Sequence, residues 1–525
     1  MTAVMRSTSH SSRDSVQDNA VTSSISKEKT AYGATHGPPD IVSGSIEVVE
    51  MNRSGDPLFE FDADAERKLR SKIDWNVVPL VSIVFLLCFL DRTNIGNARL
   101  ANFEEELNLQ GYDFNIALTV YYIPYILLEI PANVFCKYIG PGWFIPLSCI
   151  GFGVITIATG FVNSLGTLCL VRFLLGLFEA GMLPATVYYL SRWYRRDELT
   201  FYMCFFILSA SLAGAFGGLL ASAILLLDGF GTVHSWRMIF VIEGIITSII
   251  GVIALFTMTD RADTARWLND NEKKLAVERV TSERVGHAPM TDTFNWTKFR
   301  RGMMNPVVIP TAFIFLFNNI TVQGLAVFLP TVVATIFPEA GVVKQQLLTV
   351  PPYILGTIAC TASCFLSWKW DNRMNWLVGC AAPSILGYII FIATDNGTAR
   401  YVATFLPMCG VFTYGATTAA HVSNNALTDT GRSAGIGMHC FIGSIGSLIS
   451  TWSFLKTDAP HYHIGNGINL ASQSTMCVIA ISMLLWINHD NKKRDERDID
   501  SELAGRTQLE IEELEWRHPQ YRWIK

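Results

Sequence analysis

Asp91, Arg92, Arg172 and Glu179 lie inside runs that are otherwise apolar. An ionised side chain at the centre of a bilayer costs about 2.5–3.5 kcal/mol on an insertion scale, so groups kept there face a cavity, a partner or a proton path. Burial favours the neutral form of any carboxyl. A proton carrier must be neutral when loaded and charged only when its cavity is wet, which makes Asp91 and Glu179 the proton-coupling candidates. Arg92 and Arg172 are the cations that an anionic cargo would meet. Asn318, Asn319, Gln323, Tyr414 and Thr417 add neutral hydrogen-bonding groups that could orient it, although Asn318, Asn319 and Gln323 could equally be glue between helices. Glu129 and Glu243 suit structural or gating roles, Glu129 because Pro124 and Pro131 free backbone groups around it. His421, Asn424 and Asn425 close an apolar run and look like an inner gate or cap; His439 looks like a packed side chain.

The elements that must position these groups are membrane helices. The chain has 525 residues, 50% hydrophobic and only 16% charged, against roughly 25% charged in soluble domains. A soluble chain with so little surface charge would aggregate. The net charge of −5 offers no footprint for nucleic acid. Apolar runs long enough to cross a bilayer recur near 76–98, 114–136, 143–162, 165–190, 200–227, 237–258, 305–330, 346–368, 374–393, 401–424, 433–455 and 470–488. The expected fold is an all-α membrane protein of twelve transmembrane helices in two six-helix bundles, 75–258 and 305–490. A cytosolic loop, 259–304, joins them, with an amphipathic helix near 269–281. Lys and Arg recur at every second connection, which puts both termini and this loop in the cytosol.

Residues 1–60 are rich in Ser, Thr, Gly and Asp and lack an apolar period, so the tail 1–74 is expected to be disordered. The tail 491–525 is charged, with a short helix expected over 501–516. The 11 cysteines are scattered through apolar runs and read as small buried hydrophobes. Asn396-Gly397-Thr398 is a glycosylation sequon in an outer loop; a chance triplet is the alternative.

Polar residues concentrate on spans 1, 4, 7 and 10. In a six-plus-six transporter built from three-helix repeats, these are the equivalent first helices of each repeat, and they line the central cavity. Asp91 lies about fifteen residues into an outward-running span, roughly 22 Å at 1.5 Å per residue. Arg172 lies about seven residues from the outer side of an inward-running one, so the two sit at similar height and are expected to pair. A permanent brace is the alternative to a binding role. Arg172 and Glu179 are two turns apart on one face. Arg92 points away from Asp91 and has no partner on its own helix, leaving it for an anion. Gly214, Gly217, Gly218, Gly435, Gly437, Gly443 and Gly446 permit close helix contact between the two halves.

Several runs resemble one family. Phe89-Leu90-Asp91-Arg92-Thr93-Asn94-Ile95-Gly96-Asn97-Ala98 resembles the first-helix signature of the fungal allantoate-permease-like branch of the major facilitator superfamily. Leu128-Glu129-Ile130-Pro131-Ala132-Asn133 resembles its second-helix motif. Arg172 through Gly181, followed by Pro184, resembles its fourth. Trp193 to Glu198, Trp236 to Gly244 and Asp458 to Tyr462 resemble three further motifs. The resemblance, over about 75–490, implies an anion:cation symporter working by alternating access. It implies cargo such as nicotinate, pantothenate or allantoate, with coupling and anion binding on Asp91, Arg92, Arg172 and Glu179. Two departures are visible. The loop after helix 2 is reduced to Lys137-Tyr138-Ile139-Gly140, and the run after helix 10 reads Asn424 to Arg432 with His421 added.

The expected function is therefore proton-coupled uptake of a small organic anion, by a monomer in the plasma membrane. The proton is the coupling ion, and no cofactor or metal is expected. An efflux carrier for a secondary metabolite is the alternative, disfavoured because Gly214-Ala215-Phe216-Gly217-Gly218 has no Pro. A nutrient sensor is less favoured, since only short tails are present. An enzyme is not expected, for no metal cluster, Ser-His constellation or phosphate loop occurs.

Overall fold

A computed structural model describes residues 46–51, 57–227, 229, 233–281, 296–370, 373–426, 428–503, 505 and 514–524. Contacts divide the chain into Met1–Ala65 and Glu66–Lys525. In the first unit, β1 (Ile46–Met51) pairs antiparallel with β2 (Pro57–Phe61). Ile46 and Val48 flank Glu47, and Phe59 and Phe61 flank Glu60, a period-two pattern that supports pairing, so this part of the expected disordered tail has strand structure. The rest of 1–45 lies outside the described residues.

The second unit is helical. Its N-terminal half holds α1 (Ala63–Leu100), the short α2 (Phe103–Glu106), α3 (Asp113–Ile139), α4 (Pro141–Thr159), α5 (Leu165–Glu179), α6 (Met182–Leu190), α7 (Arg196–Ile224) and α8 (Trp236–Thr257). The connecting loop carries α9 (Asp270–Thr281) and α10 (Trp296–Met303). The C-terminal half holds α11 (Val308–Ile336), α12 (Val342–Trp370), α13 (Arg373–Ala393), α14 (Gly397–Asn424), α15 (Asp429–Thr451), α16 (His463–Asp495) and the short α17 (Ile499–Leu503). Counting α5 and α6 as one span gives twelve. Ten are long and apolar enough to cross a membrane by length and composition. The other two, α12 and α14, are 29 and 28 residues long but diluted by groups such as Gln345, Gln346, Thr417, Thr418 and His421.

The fourth span is not the continuous helix expected over 165–190. α5 stops at Glu179, and Gly181 opens α6 with φ +82°. A side chain there would be strained in this conformation and would meet the Ala132 Cβ at 2.7 Å. The sequence carried the signal, a Gly three residues before Pro184.

Within the halves α4 packs on α8 and α11 on α15; between them α3 meets α15, and α7 meets α12 and α14. Gly214 and Gly218 face Tyr353 and Gln346 across the divide, and Gly437 faces Asn133. Gly443 and Gly446 instead press on Phe315 and Leu316 of their own half. Those two glycines fix a half internally and do not serve the contact between halves.

The α3–α15 seam is hydrogen-bonded along its length. At the end where α3 stops and α15 starts, Asn133 Nδ2 donates to Ser433 O at 2.8 Å and Lys137 Nζ to Thr430 Oγ1 at 2.9 Å. Midway, Ser444 Oγ donates to Glu129 Oε2 at 2.7 Å. At the far end, Asn115 Nδ2 donates to Thr451 O at 2.5 Å and Trp452 Nε1 to Thr119 Oγ1 at 3.0 Å. Both ends of the seam are thus closed at once.

Of the helix expected over 501–516, residues 504 and 506–513 lie outside the described residues; α17 covers Ile499–Leu503, and the stretch from Glu515 folds back on the C-terminal half. Trp523 is buried, and its Nε1 donates to Asp490 Oδ2 at 2.7 Å.

Candidate transport site

A cavity of about 60 Å³, room for a few waters, lies between the halves. α1 contributes Phe85, Phe89 and Arg92, α3 Tyr125, and α11 Asn318, Asn319 and Gln323. α14 adds Phe412 and Gly415, and α15 adds Ser444 and Ser447. First helices of the repeats do line it, as expected, joined by α3, α7 and α15. Among the described residues Arg92 is the single charged one of the lining.

Arg92 does not wait for an anion alone. Its Nε donates to Glu179 Oε2 at 2.8 Å, and its guanidinium sits 4.7 Å above the Tyr125 ring. Glu179 also accepts from the Tyr121 hydroxyl. As the last residue of α5 it lies at the helix's C-terminal end, where both Arg92 and Tyr121 meet it. Gly176 makes the meeting possible, since a Cβ there would stand 2.2 Å from Tyr121 O. The helices α3 and α5 therefore touch by backbone next to the site.

The expected Asp91–Arg172 pair does not form. Asp91 Oδ2 accepts from Thr156 Oγ1 at 3.0 Å, while Arg172 lies 5.8 Å from the Phe240 ring. Arg172 Nε and Nη2 and Asp91 Oδ1 are buried without a hydrogen-bond partner. Similar height along two helices does not fix rotation about their axes, and that rotation decides which side chains meet.

Asn318 Nδ2 donates to Val411 O at 3.0 Å and Asn319 Nδ2 to Gly443 O at 3.1 Å. Gln323 Oε1 accepts from Tyr122 at 3.2 Å, across the halves. All three border the cavity. Tyr414 and Thr417, expected among the binding residues, do not. The Tyr414 hydroxyl bonds Leu377 O inside an apolar cluster with Ile314 and Met374, and Thr417 Oγ1 bonds Thr413 O at 2.8 Å on its own helix. Glu243 accepts from Asn94. Asn425 binds the tail, accepting at Oδ1 from Ile524 N at 3.0 Å, and it bonds His421 O at 3.0 Å. Asn424 is buried beside them. His439 stacks on Phe315 at 4.5 Å, as a packed ring would.

Asn396 is exposed and caps α14, its Oδ1 accepting from Ala399 N at 3.2 Å. Nearby, Asp395, His461 and His463 converge. Arg400 Nη1 lies 3.3 Å from the same His461 Nδ1 that meets Asp395.

Reading for ionisable and amide groups missed Tyr121, Tyr125, Thr156 and Ser444. The Tyr121-Tyr122-x-x-Tyr125 run was the available signal, because a phenol buried in an apolar span needs a hydrogen-bond partner.

The profile described as Major Facilitator Superfamily matches residues 81–451, most of the chain. The chain belongs to this superfamily. An uncharacterized transporter of Schizosaccharomyces pombe is 30% identical, over 82% of this chain and 88% of that one. The high-affinity nicotinic acid transporter of Saccharomyces cerevisiae is 25% identical, over 95% and 92%. A bacterial homolog of the human lysosomal transporter Spinster, inward-facing and unoccupied, superposes with TM-score 0.55 at 16% identity, over 79% of this chain and 95% of that one. Superfamily membership makes this chain a multi-pass membrane transporter of a small molecule and not an enzyme, with the twelve-helix arrangement seen above.

Proposed function

We propose that this transporter takes up a small organic anion together with a proton, in the plasma membrane, with both termini cytosolic. The observation that carries the reading is the Arg92–Glu179 pair at the edge of the central cavity. A carboxylate cargo arriving at Arg92 competes with Glu179 for one guanidinium. Glu179, displaced at the negative end of α5, takes up a proton. The site holds one cation and one anion when empty, and cation, cargo anion and neutral Glu179 when loaded. Its net charge is the same in both states, so both can cross the low-dielectric middle of the cycle while a proton-free loaded carrier cannot.

Phe85, Phe89 and Phe412 beside Arg92 favour a planar carboxylate, with Asn318, Asn319 and Gln323 supplying hydrogen bonds. The nicotinic acid transporter among the relatives supports that cargo class. Asp91, beside Arg92 in the chain, is a second acid that can pass on the proton, and Arg172 is a second fixed cation.

The test is tracer uptake of a panel of organic acids in cells expressing the chain. Uptake should rise with external acidity and collapse with a protonophore. Glu179→Gln should abolish accumulation and spare exchange; accumulation unchanged in that variant removes Glu179 from coupling. Release from preloaded cells against the proton gradient, without uptake, would establish export instead.

A further inference from the structure

Glu129 stands outside the Arg92–Glu179 pair, yet it lies on the seam along which the halves meet. Tyr125, Glu129, Asn133 and Lys137 follow one another at four-residue spacing, which puts them on one face of α3. The stripe runs from the central cavity to the end where α3 stops. Tyr125 borders the cavity, Glu129 meets Ser444, Asn133 meets Ser433 and Lys137 meets Thr430. Ser444 borders the cavity as well, so Glu129 is one hydrogen bond away from it.

The Glu129 side chain is fully buried. Its Oε2 accepts from the neutral Ser444 hydroxyl at 2.7 Å, and its Oε1 is buried with no hydrogen-bond partner among the described residues. Arg92 of α1, Tyr125 of its own helix and Cys440 of α15 are titratable groups close enough to feel its charge. The one cation among them, Arg92, is bonded to Glu179 at 2.8 Å. A single hydroxyl cannot replace the water that surrounds an ionised carboxylate.

We propose that Glu129 makes closure of the α3–α15 seam conditional on a proton. The carboxyl is neutral while the two helices are in contact. When Asn133 and Lys137 let go of α15, water reaches Glu129 along the stripe and takes its proton. A proton from the same water returns to the carboxylate before the seam closes again. Glu129 thus moves no net proton across the membrane; it decides when the halves can meet. The inference rests on transport by parting halves, as proposed above, and not on the coupling role of Glu179.

The purified full-length chain in lipid nanodiscs, carrying Asn133→Cys and Ser433→Cys, is oxidised at a series of values from about pH 5 to about pH 9. Disulfide formation is timed with Glu129 in place and with Glu129→Gln. Thiol ionisation is common to both, so the ratio of the two rates reads the carboxyl. The rates should agree at the acid end. At the alkaline end the Glu129 form should lag about tenfold, because a wetted carboxyl is almost wholly ionised there. Thr119→Cys with Trp452→Cys, at the far end of the seam, should show no lag. Should Glu129→Gln fail to fold by thermal unfolding, Glu129→Met, uncharged and adaptable in packing, takes its place with the same expectations. A ratio that stays constant across the range overturns the proposal and leaves Glu179 untouched. So does a lag at both ends, which would be loss of the fold, or a lag that Glu179→Gln removes. The measurement needs neither cargo nor gradient, so failure of proton-driven uptake would remove the coupling reading and leave this one standing.

Discussion

Arg92 faces two claimants, Glu179 and the cargo, whereas Tyr414 faces only its own helix bundle. Arg92→Lys keeps the charge and loses the planar fork. It should raise KM for a carboxylate about tenfold, the loss of one charge-assisted bond of about 1.5 kcal/mol. Tyr414→Phe should leave KM unchanged and lower stability by about 1 kcal/mol, because one buried hydrogen bond to Leu377 disappears. Tracer kinetics beside thermal unfolding of the purified protein separates the two outcomes. A matching rise of KM in Tyr414→Phe would return that residue to the site. At this scale sequence reading was most exposed to error. It found Arg92 and Glu179 as ionisable groups out of place in lipid, yet joined Asp91 to Arg172. Two residues on different helices meet or miss by rotation and tilt, and neither is written in the spacing along one chain.

The break between α5 and α6 is the element on which the site turns. It ends α5 at Glu179 and lets α6 bring Leu183 to the cavity. Gly181→Ala must adopt a left-handed backbone at about 1–2 kcal/mol and push back Ala132 as well. Its midpoint of thermal unfolding should fall clearly below wild type. Gly166→Ala, where the added methyl meets nothing within 4 Å, should behave as wild type. Equal midpoints would mean the break is tolerant and does not hold Glu179. Most helices were legible from apolar runs because lipid demands about twenty apolar residues per crossing. α14 was legible too, although its polar side chains dilute it. The tail was not: its hold on Asp490, Asn491 and Asn425 depends on where α14 and α16 end in space, which charge composition does not encode.

For the whole molecule, the seam between α3 and α15 is bonded at both ends around a cavity that holds only a few waters. Transport requires each end to part in turn. Cysteines replacing Asn133 and Ser433, or Thr119 and Trp452, should cross-link under oxidation in either pair, and each cross-link should stop uptake until reduced. Cargo added from outside should slow cross-linking of one pair and hasten that of the other. Uptake that continues through either cross-link would show that the halves do not part along this seam.

The sequence alone determined that the chain is a membrane protein, how many times it crosses and which helices carry polar groups, because burial of charge in lipid is penalised residue by residue. Only the tertiary structure decided that Glu179 holds Arg92, that Tyr414 and Thr417 lie away from the cavity, and that the tail folds back on the C-terminal half. Those outcomes depend on the relative rotation of helices far apart in sequence, as at Glu179, where the backbone of Tyr121 packs against Gly176.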